Sequence, residues 1–257
     1  MDLAQTYELW RALMVEGDAN WWQTFFVRFY QAFIEANRWQ SYLEGVGVTL
    51  IVTAVALAIG VVLGILVAMV RTAHDQQRPG RPKNPVLGIL NIICKVYVTI
   101  IRGTPMMVQI LIMGLVVFAS SRNFTMVGAL TLGINSGAYV AEIIRGGLMS
   151  LDPGQMEAGR SLGLNYIDTM RFIVIPQAFK AILPSLGNEF IVLLKDTSLI
   201  SIIGGQEMVY FARNIVNRTF DAMFPLIGAA VIYLILVMIF TWLQGKLERR
   251  LRQGDRR

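Results

Sequence analysis

Residues 151–176 read L-D-P-G-Q-M-E-A-G-R-S-L-G-L-N-Y-I-D-T-M-R-F-I-V-I-P, a polar run in a chain otherwise built of long apolar stretches. Its punctuation predicts two short helices joined by a glycine elbow. Asp152 can cap a helix, Pro153 suits the first helical position, and Gln155 stands where it can reach back to the cap. Gly163 supplies the left-handed residue that closes this helix, and Asn165 with Asp168 offers a second cap. The second helix gathers Ile167, Met170 and Val174 on one face and leaves Asn165, Asp168 and Arg171 for water or a partner.

On either side of this insert the composition changes. Of 257 residues, 55% are hydrophobic, and the charge-free windows are long enough to cross a bilayer, which takes about 20 residues. Residues 45–70 form the first span, with Gly60 and Gly64 as a pair of small residues that permits close packing without naming a partner. Residues 84–101 are expected as a lateral or tilted piece, broken at Gly103-Thr104-Pro105 before a spanning piece over 105–118. Further spans are expected at 124–144, 183–203 and 222–245, with a short helix in the connector 204–221. The fold class is an all-α integral membrane protein of about five transmembrane helices, preceded by an N-terminal amphipathic helix. Residues 1–41 read as an extracytoplasmic, interfacial segment whose stretch 20–34 has aromatic residues at helical spacing; the other reading is a loosely ordered leader. Residues 42–246 form the transmembrane domain, with a cytoplasmic loop at 150–180, and 247–257 a basic tail. A single cysteine, Cys94, excludes an intramolecular disulfide, and a single histidine, His74, argues against a His-based metal site.

Charge fixes the expected orientation. Residues 71–95, 142–180 and 246–257 together hold 15 Lys and Arg against seven acids. The opposite side holds six Lys and Arg against eight acids. By the positive-inside rule the first group is cytoplasmic, the N-terminus outside and the C-terminus inside. The net charge of +6 is therefore topological and is not read as nucleic-acid binding. Glu142 and Arg145, three residues apart at the inner end of the 124–144 span, can pair with each other.

Several motifs carry a resemblance. Glu157-Ala158-Gly159, Gly163 and Ile173-Val174-Ile175-Pro176 are similar to the E-A-A, G, I-x-L-P cytoplasmic loop of ABC importer permeases, with Gly159 in place of the second alanine and Ile175 in place of leucine. Arg102-Gly103-Thr104-Pro105, the run from Ser136 to Gly147, the run from Leu183 to Phe190 and the run from Leu194 to Leu199 resemble the polar amino acid uptake branch of that family. The resemblance spans residues 41–245. It implies that Glu157, Ala158, Gly159 and Gly163 couple the chain to a separate ABC ATPase. It also implies a second permease, identical or homologous, a substrate-binding protein outside the cell, an amino acid substrate, and residence in a bacterial cell membrane. The chain has no G-x-x-x-x-G-K-[ST] loop to cradle phosphates, so no cofactor is expected in it, and ATP and Mg²⁺ belong to the partner ATPase.

Ionisable residues inside a span cost about 2.5–3.5 kcal/mol each and tend to mark a pathway. Glu189, Lys195 and Asp196 are such residues. Glu189 and Asp196 lie two turns apart on one helix face, and together with Lys195 the span could meet both charges of a zwitterionic amino acid. The same charges could instead pair with neighbouring helices and fix the fold. Asn135, Ser136 and Tyr139 on the preceding span are candidate pathway residues, though small polar residues also serve helix packing, and Arg102 reads as an anchor at the broken helix. A secondary transporter or channel for small zwitterionic solutes is the other functional class, but it would not need the 151–176 insert. An enzyme is not expected, because no nucleophile stands with a base or a metal cluster.

Overall fold

The computed structural model describes residues 2–77 and 84–253; within the basic stretches singled out above, residues 78–83 and 254–257 lie outside the described residues. In chain order the helices are α1 (Leu3–Glu16), α2 (Trp21–Phe33), α3 (Arg38–Asp75), α4 (Pro85–Gly103), α5 (Met106–Ile112), α6 (Phe124–Met149), α7 (Gly154–Ser161), α8 (Tyr166–Thr169), α9 (Ile175–Asp196), α10 (Met208–Thr219) and α11 (Met223–Gln253). Two stretches, Met113–Val117 and Met170–Val174, are wound wide as π turns, and Thr197–Ile203 is wound tight as a 3-10 turn. Four helices, α3, α4, α6 and α11, are long and apolar enough to cross a membrane. The 22-residue α9 has the length but also carries Lys180, Glu189, Lys195 and Asp196; it packs against α3, α6 and α11.

The bundle is organised around the pairing of α3 with α6. The two helices interlock through glycines on both. A Cβ added at Gly60 would lie 2.7 Å from Ser136 Oγ, and one at Gly64 2.5 Å from Val140; reciprocally, Gly133 receives Ile59 at 2.7 Å and Gly137 receives Leu63 at 2.9 Å. Dispersion contact and close backbone approach replace the hydrophobic drive that lipid cannot supply between helices. α6 is accordingly the most enclosed crossing, with 61% of its apolar window buried, against 11% in α4 and 17% in α11. The small-residue pair Gly60 and Gly64 thus has its partner within the same chain.

Several expectations change. α4 is itself long enough to cross, whereas the piece after the break, Met106–Val117, is the shorter one. Asn84 starts α4 by accepting from Val86 and Leu87 N–H groups, Pro85 fits its first turn, and no breaker intervenes before Gly103. At the break, Thr104 is extended, as the residue before a proline prefers, and Gln109 Nε2 donates to Ile101 O at 2.8 Å, satisfying a freed carbonyl. The second short helix and the fourth span, expected as separate, form one helical rod from Tyr166 to Asp196 through the π turn. Pro176 follows directly on the π turn, whose wide winding accommodates a residue with no N–H to give within the rod. The basic tail continues α11 as helix to Gln253. α1 was not expected at all, while α2 falls where the aromatic spacing put a helix.

At one end, Arg71 of α3 pairs with Glu142 of α6, and Arg145 reaches Asp75 at 3.3 Å and Glu142 at 3.6 Å. Glu142 and Arg145 do meet each other, but each is also held by α3. Leu151, Gln177, Lys180 and Glu248 line one cleft at this same end. The three segments grouped by charge therefore converge in space.

Candidate functional sites

α7 and α8 form a knob at that end. Asp152 Oδ1 accepts from Gly154 N–H at 2.8 Å, which starts α7. Gln155 does not reach back to the cap as expected; its Oε1 accepts from Gln177 Nε2 at 3.0 Å and ties α7 to α9 instead. Gly163 has φ +85°, the conformation that closes α7, with Gly163 N–H donating to Arg160 O and Leu164 N–H to Gly159 O. Asn165 caps α8 by accepting from Asp168 N–H at 3.0 Å. Tyr166 O–H donates to Gln76 Oε1, which fastens the knob to α3.

The four residues of this motif divide by exposure. Glu157, Ala158 and Gly163 are exposed, and the Glu157 carboxylate has no partner among the described residues. Leu162 and Ile167 are exposed apolar residues on the same two short helices. Gly159 is buried, and a Cβ there would lie 2.5 Å from Thr169 Cγ2. Thr169 cannot swing aside, because it is fully buried and its hydroxyl donates to Asn165 O at 2.9 Å. Gly159, where the family pattern has alanine, thus leaves the space that Thr169 on α8 fills. Gly159→Ala is expected to destabilise the knob by about 1–3 kcal/mol, the usual cost of overpacking. The double change Gly159→Ala with Thr169→Ser, which removes the methyl at 2.5 Å and leaves the hydroxyl at 2.9 Å, should recover part of that loss. Thermal unfolding of the two variants checks this, and an unchanged midpoint for the single variant would disprove the packing account.

A second site lies deeper in the bundle. Tyr139, Ile143, Pro184, Ser185, Asn188, Glu189, Gln244 and Glu248 line a cleft of about 520 Å³ between α6, α9 and α11. Glu189 is 8% exposed, and Ser136 Oγ donates to its Oε1 at 2.8 Å. No ion pair neutralises Glu189, Lys195 or Asp196 among the described residues. Arg102 stacks over the Tyr139 ring with 5.2 Å from Cζ to centroid.

The structure thus brings Glu189 and Tyr139 to one cleft and separates the other pathway candidates. Lys195 opens instead onto a smaller cleft beside Ser198, Val209 and Tyr233. Asp196 lines neither. Asn135 is 9% exposed and donates from Nδ2 to Gln109 Oε1 at 2.9 Å, so it braces the broken α4–α5 passage. Gln244 and Glu248 were not singled out. Gln244 Nε2 donates to Pro184 O at 3.2 Å and to Glu248 Oε1 at 3.1 Å; their spacing of four on one helix face was the available signal.

A bundle with four helices long and apolar enough to cross a membrane, a polar cleft open on one side and an exposed two-helix knob at one end is that of a polytopic membrane protein. Residues 86–253 match the family described as the binding-protein-dependent transport system inner membrane component, and the chain belongs to that family. It is 35% identical over 217 residues to the glutamine transport system permease protein GlnP of Escherichia coli (strain K12), covering 82% of this chain and 92% of that one. It is 34% identical over 218 residues to the arginine transport system permease protein ArtQ of Bacillus subtilis (strain 168), covering 83% and 93%. A crystal structure described as an amino acid ABC transporter with histidines superposes with TM-score 0.73 at 38% identity, covering 82% of this chain and 94% of that one. The inward-facing MetNI methionine ABC transporter shares the fold, with TM-score 0.71 at 18% identity over 85% of this chain and 99% of that one. The protein is a permease subunit of the amino acid ABC transporter family, and such subunits are not themselves catalytic. ATP hydrolysis resides in a partner ATPase, and membership of the family implies a substrate-binding protein.

Proposed function

We propose that this chain carries polar amino acids into the cytoplasm of a bacterium by alternating access, with its N-terminus outside, its C-terminus inside and the α7–α8 knob seated on the ATPase. The observation that carries this reading is the knob. It is rigidly capped and fastened to α3 and α9, yet it presents an unpartnered carboxylate, Glu157, beside bare Leu162 and Ile167. A buried charge-assisted bond surrounded by apolar contact is what a coupling interface needs, and Gly163 lets the partner backbone approach closely. Ala158 completes the exposed small-residue surface. Gly159 supports that surface from beneath.

Glu189 and Tyr139, with Asn188, are the groups offered to substrate, the carboxylate facing the ammonium of an amino acid. Lys195 and Asp196 stand apart from this cleft, near the end of α9, and Asn135 braces the broken helix. The cleft opens on one side of the chain, in keeping with a pathway completed at a two-fold axis by a second permease, a copy or a homologue. The names of the relatives favour glutamine or arginine as cargo. ATP and Mg²⁺ are bound by the ATPase, and no cofactor is assigned to this chain. Residues 42–246 act as the transport domain.

The test is uptake of labelled amino acids into proteoliposomes holding this chain, its ATPase and its binding protein. Saturable uptake that requires internal ATP is expected, with one or a few polar amino acids preferred. Uptake at the same rate without ATP would favour a secondary transporter or channel.

A further inference from the structure

Residues 2–37 lie well before the stretch 86–253 that the family profile matches, and in the structure they are a built element. α1 and α2 form a hairpin: Tyr7 stacks on Tyr30 at 4.3 Å, and Trp10 meets Phe26 edge-on at 5.0 Å. Glu35, at the corner between α2 and α3, accepts from Tyr7 O–H at 2.9 Å and pairs with Arg38 at 2.8 Å and Arg11 at 3.5 Å. Burial pushes the Tyr7 phenol above its usual range, so it remains a donor to Glu35. The corner holds Ala36 and Asn37 at φ 54° and 55°, a conformation that costs a non-glycine residue about 1–2 kcal/mol and persists only where its surroundings enforce it.

The hairpin is seated on α11, at the end of the bundle away from the knob. Phe25 and Phe29 both meet Phe224 edge-on, at 4.9 and 6.0 Å, and Phe33 fills the notch left by Gly228. On this docked helix, Trp21 is 74% exposed, Trp22 58% and Phe29 41%. On α11, Ile227 and Val231, three and seven residues beyond Phe224 and on nearly the same helix face, are exposed apolar residues. Phe220, fully exposed, stands at the turn into that helix. Aromatic rings at the end of a spanning helix, continuous with its lipid-facing flank, are placed where the headgroup boundary lies.

We propose that the α1–α2 hairpin is a membrane-interface collar: Trp21, Trp22 and Phe29 lie in the headgroup boundary of the leaflet opposite the knob and hold the ends of α3, α10 and α11 at fixed depth. The occupant of this aromatic face is lipid. Residues 2–44 carry six acids against three arginines, so attraction to anionic headgroups cannot hold it there, and its seating should be insensitive to salt.

The chain has five tryptophans, so the variant Trp10→Phe, Trp39→Phe, Trp242→Phe reports on Trp21 and Trp22 alone. In nanodiscs containing the complete permease–ATPase complex, lipids brominated near the carbonyl end of the acyl chain should quench this emission more than lipids brominated near the tail. Acrylamide should quench it weakly, and added salt should change neither result. Strong acrylamide quenching with no effect of brominated lipid would overturn the proposal. If addition of the binding protein then shielded the rings, they would be a protein-docking surface instead. Should the triple variant fail to assemble, a lipid-soluble carbene probe on the unaltered chain gives the same reading: labelling within residues 21–29 is expected, and its absence refutes the collar.

Discussion

Glu189→Gln is expected to assemble with its ATPase, melt within a degree or two of the unaltered protein, and transport roughly 30-fold less efficiently at low substrate. The substitution keeps the shape of the side chain and an acceptor for Ser136 Oγ, so the α6–α9 contact at 2.8 Å survives. What it removes is the charge, which the protein retains at a cost of about 2.5–3.5 kcal/mol in a spanning helix. That cost has no return within the described residues, since no cation stands within ion-pair distance. A substrate ammonium would provide one, and loss of a desolvated charge partner costs about 2 kcal/mol or more, the source of the factor given above. Initial rates of uptake against substrate concentration decide the matter. If Glu189 merely joined two helices through Ser136, the glutamine variant would transport within about twofold of the original.

Glu157→Ala should abolish most ATP-driven uptake while leaving the basal hydrolysis of the ATPase intact. Alanine is the best helix former and α7 already has its start and stop fixed by Asp152 and Gly163, so the knob stays folded. A hydrogen bond to a charged group at an excluded interface contributes about 1.5–3 kcal/mol, which corresponds to roughly 10- to 100-fold in coupled transport. Parallel assays of uptake and hydrolysis on one preparation separate coupling from assembly. Equal uptake by the variant would remove Glu157 from the coupling surface. Partial recovery by Glu157→Gln would show that an acceptor contributes even without charge.

The local devices were the legible part of the sequence. Gly163 closes a helix wherever it stands, and Asn165 caps the next from three residues away, so both are set by neighbours along the chain. Long-range partners were not legible in this way. Gly60 and Gly64 announce close packing, but only the fold places Ser136 and Val140 against them. Glu142 and Arg145 were expected to meet each other, and they do at 3.6 Å, yet Arg71 and Asp75 arrive from α3 as well. Asn135 has the chemistry of a pathway residue and is drawn off by Gln109, 26 positions earlier, which needs Asn135 to finish bracing the broken helix. The separation expected between the 151–176 insert and the following span failed because a π turn carries the helix through Pro176, a winding that hydrophobic period does not signal.

That uninterrupted passage has a mechanical consequence. From Tyr166 to Glu189 the chain advances through 23 residues without a loop, about 35 Å at 1.5 Å per residue. A tilt of about 10° about the Glu189 end would sweep the knob through about 6 Å on that length. If the knob is seated on the ATPase as proposed, motion imposed there would arrive at Glu189 as rotation of one lever, whose compliance resides in the wide turn at Met170–Val174 and at Pro184.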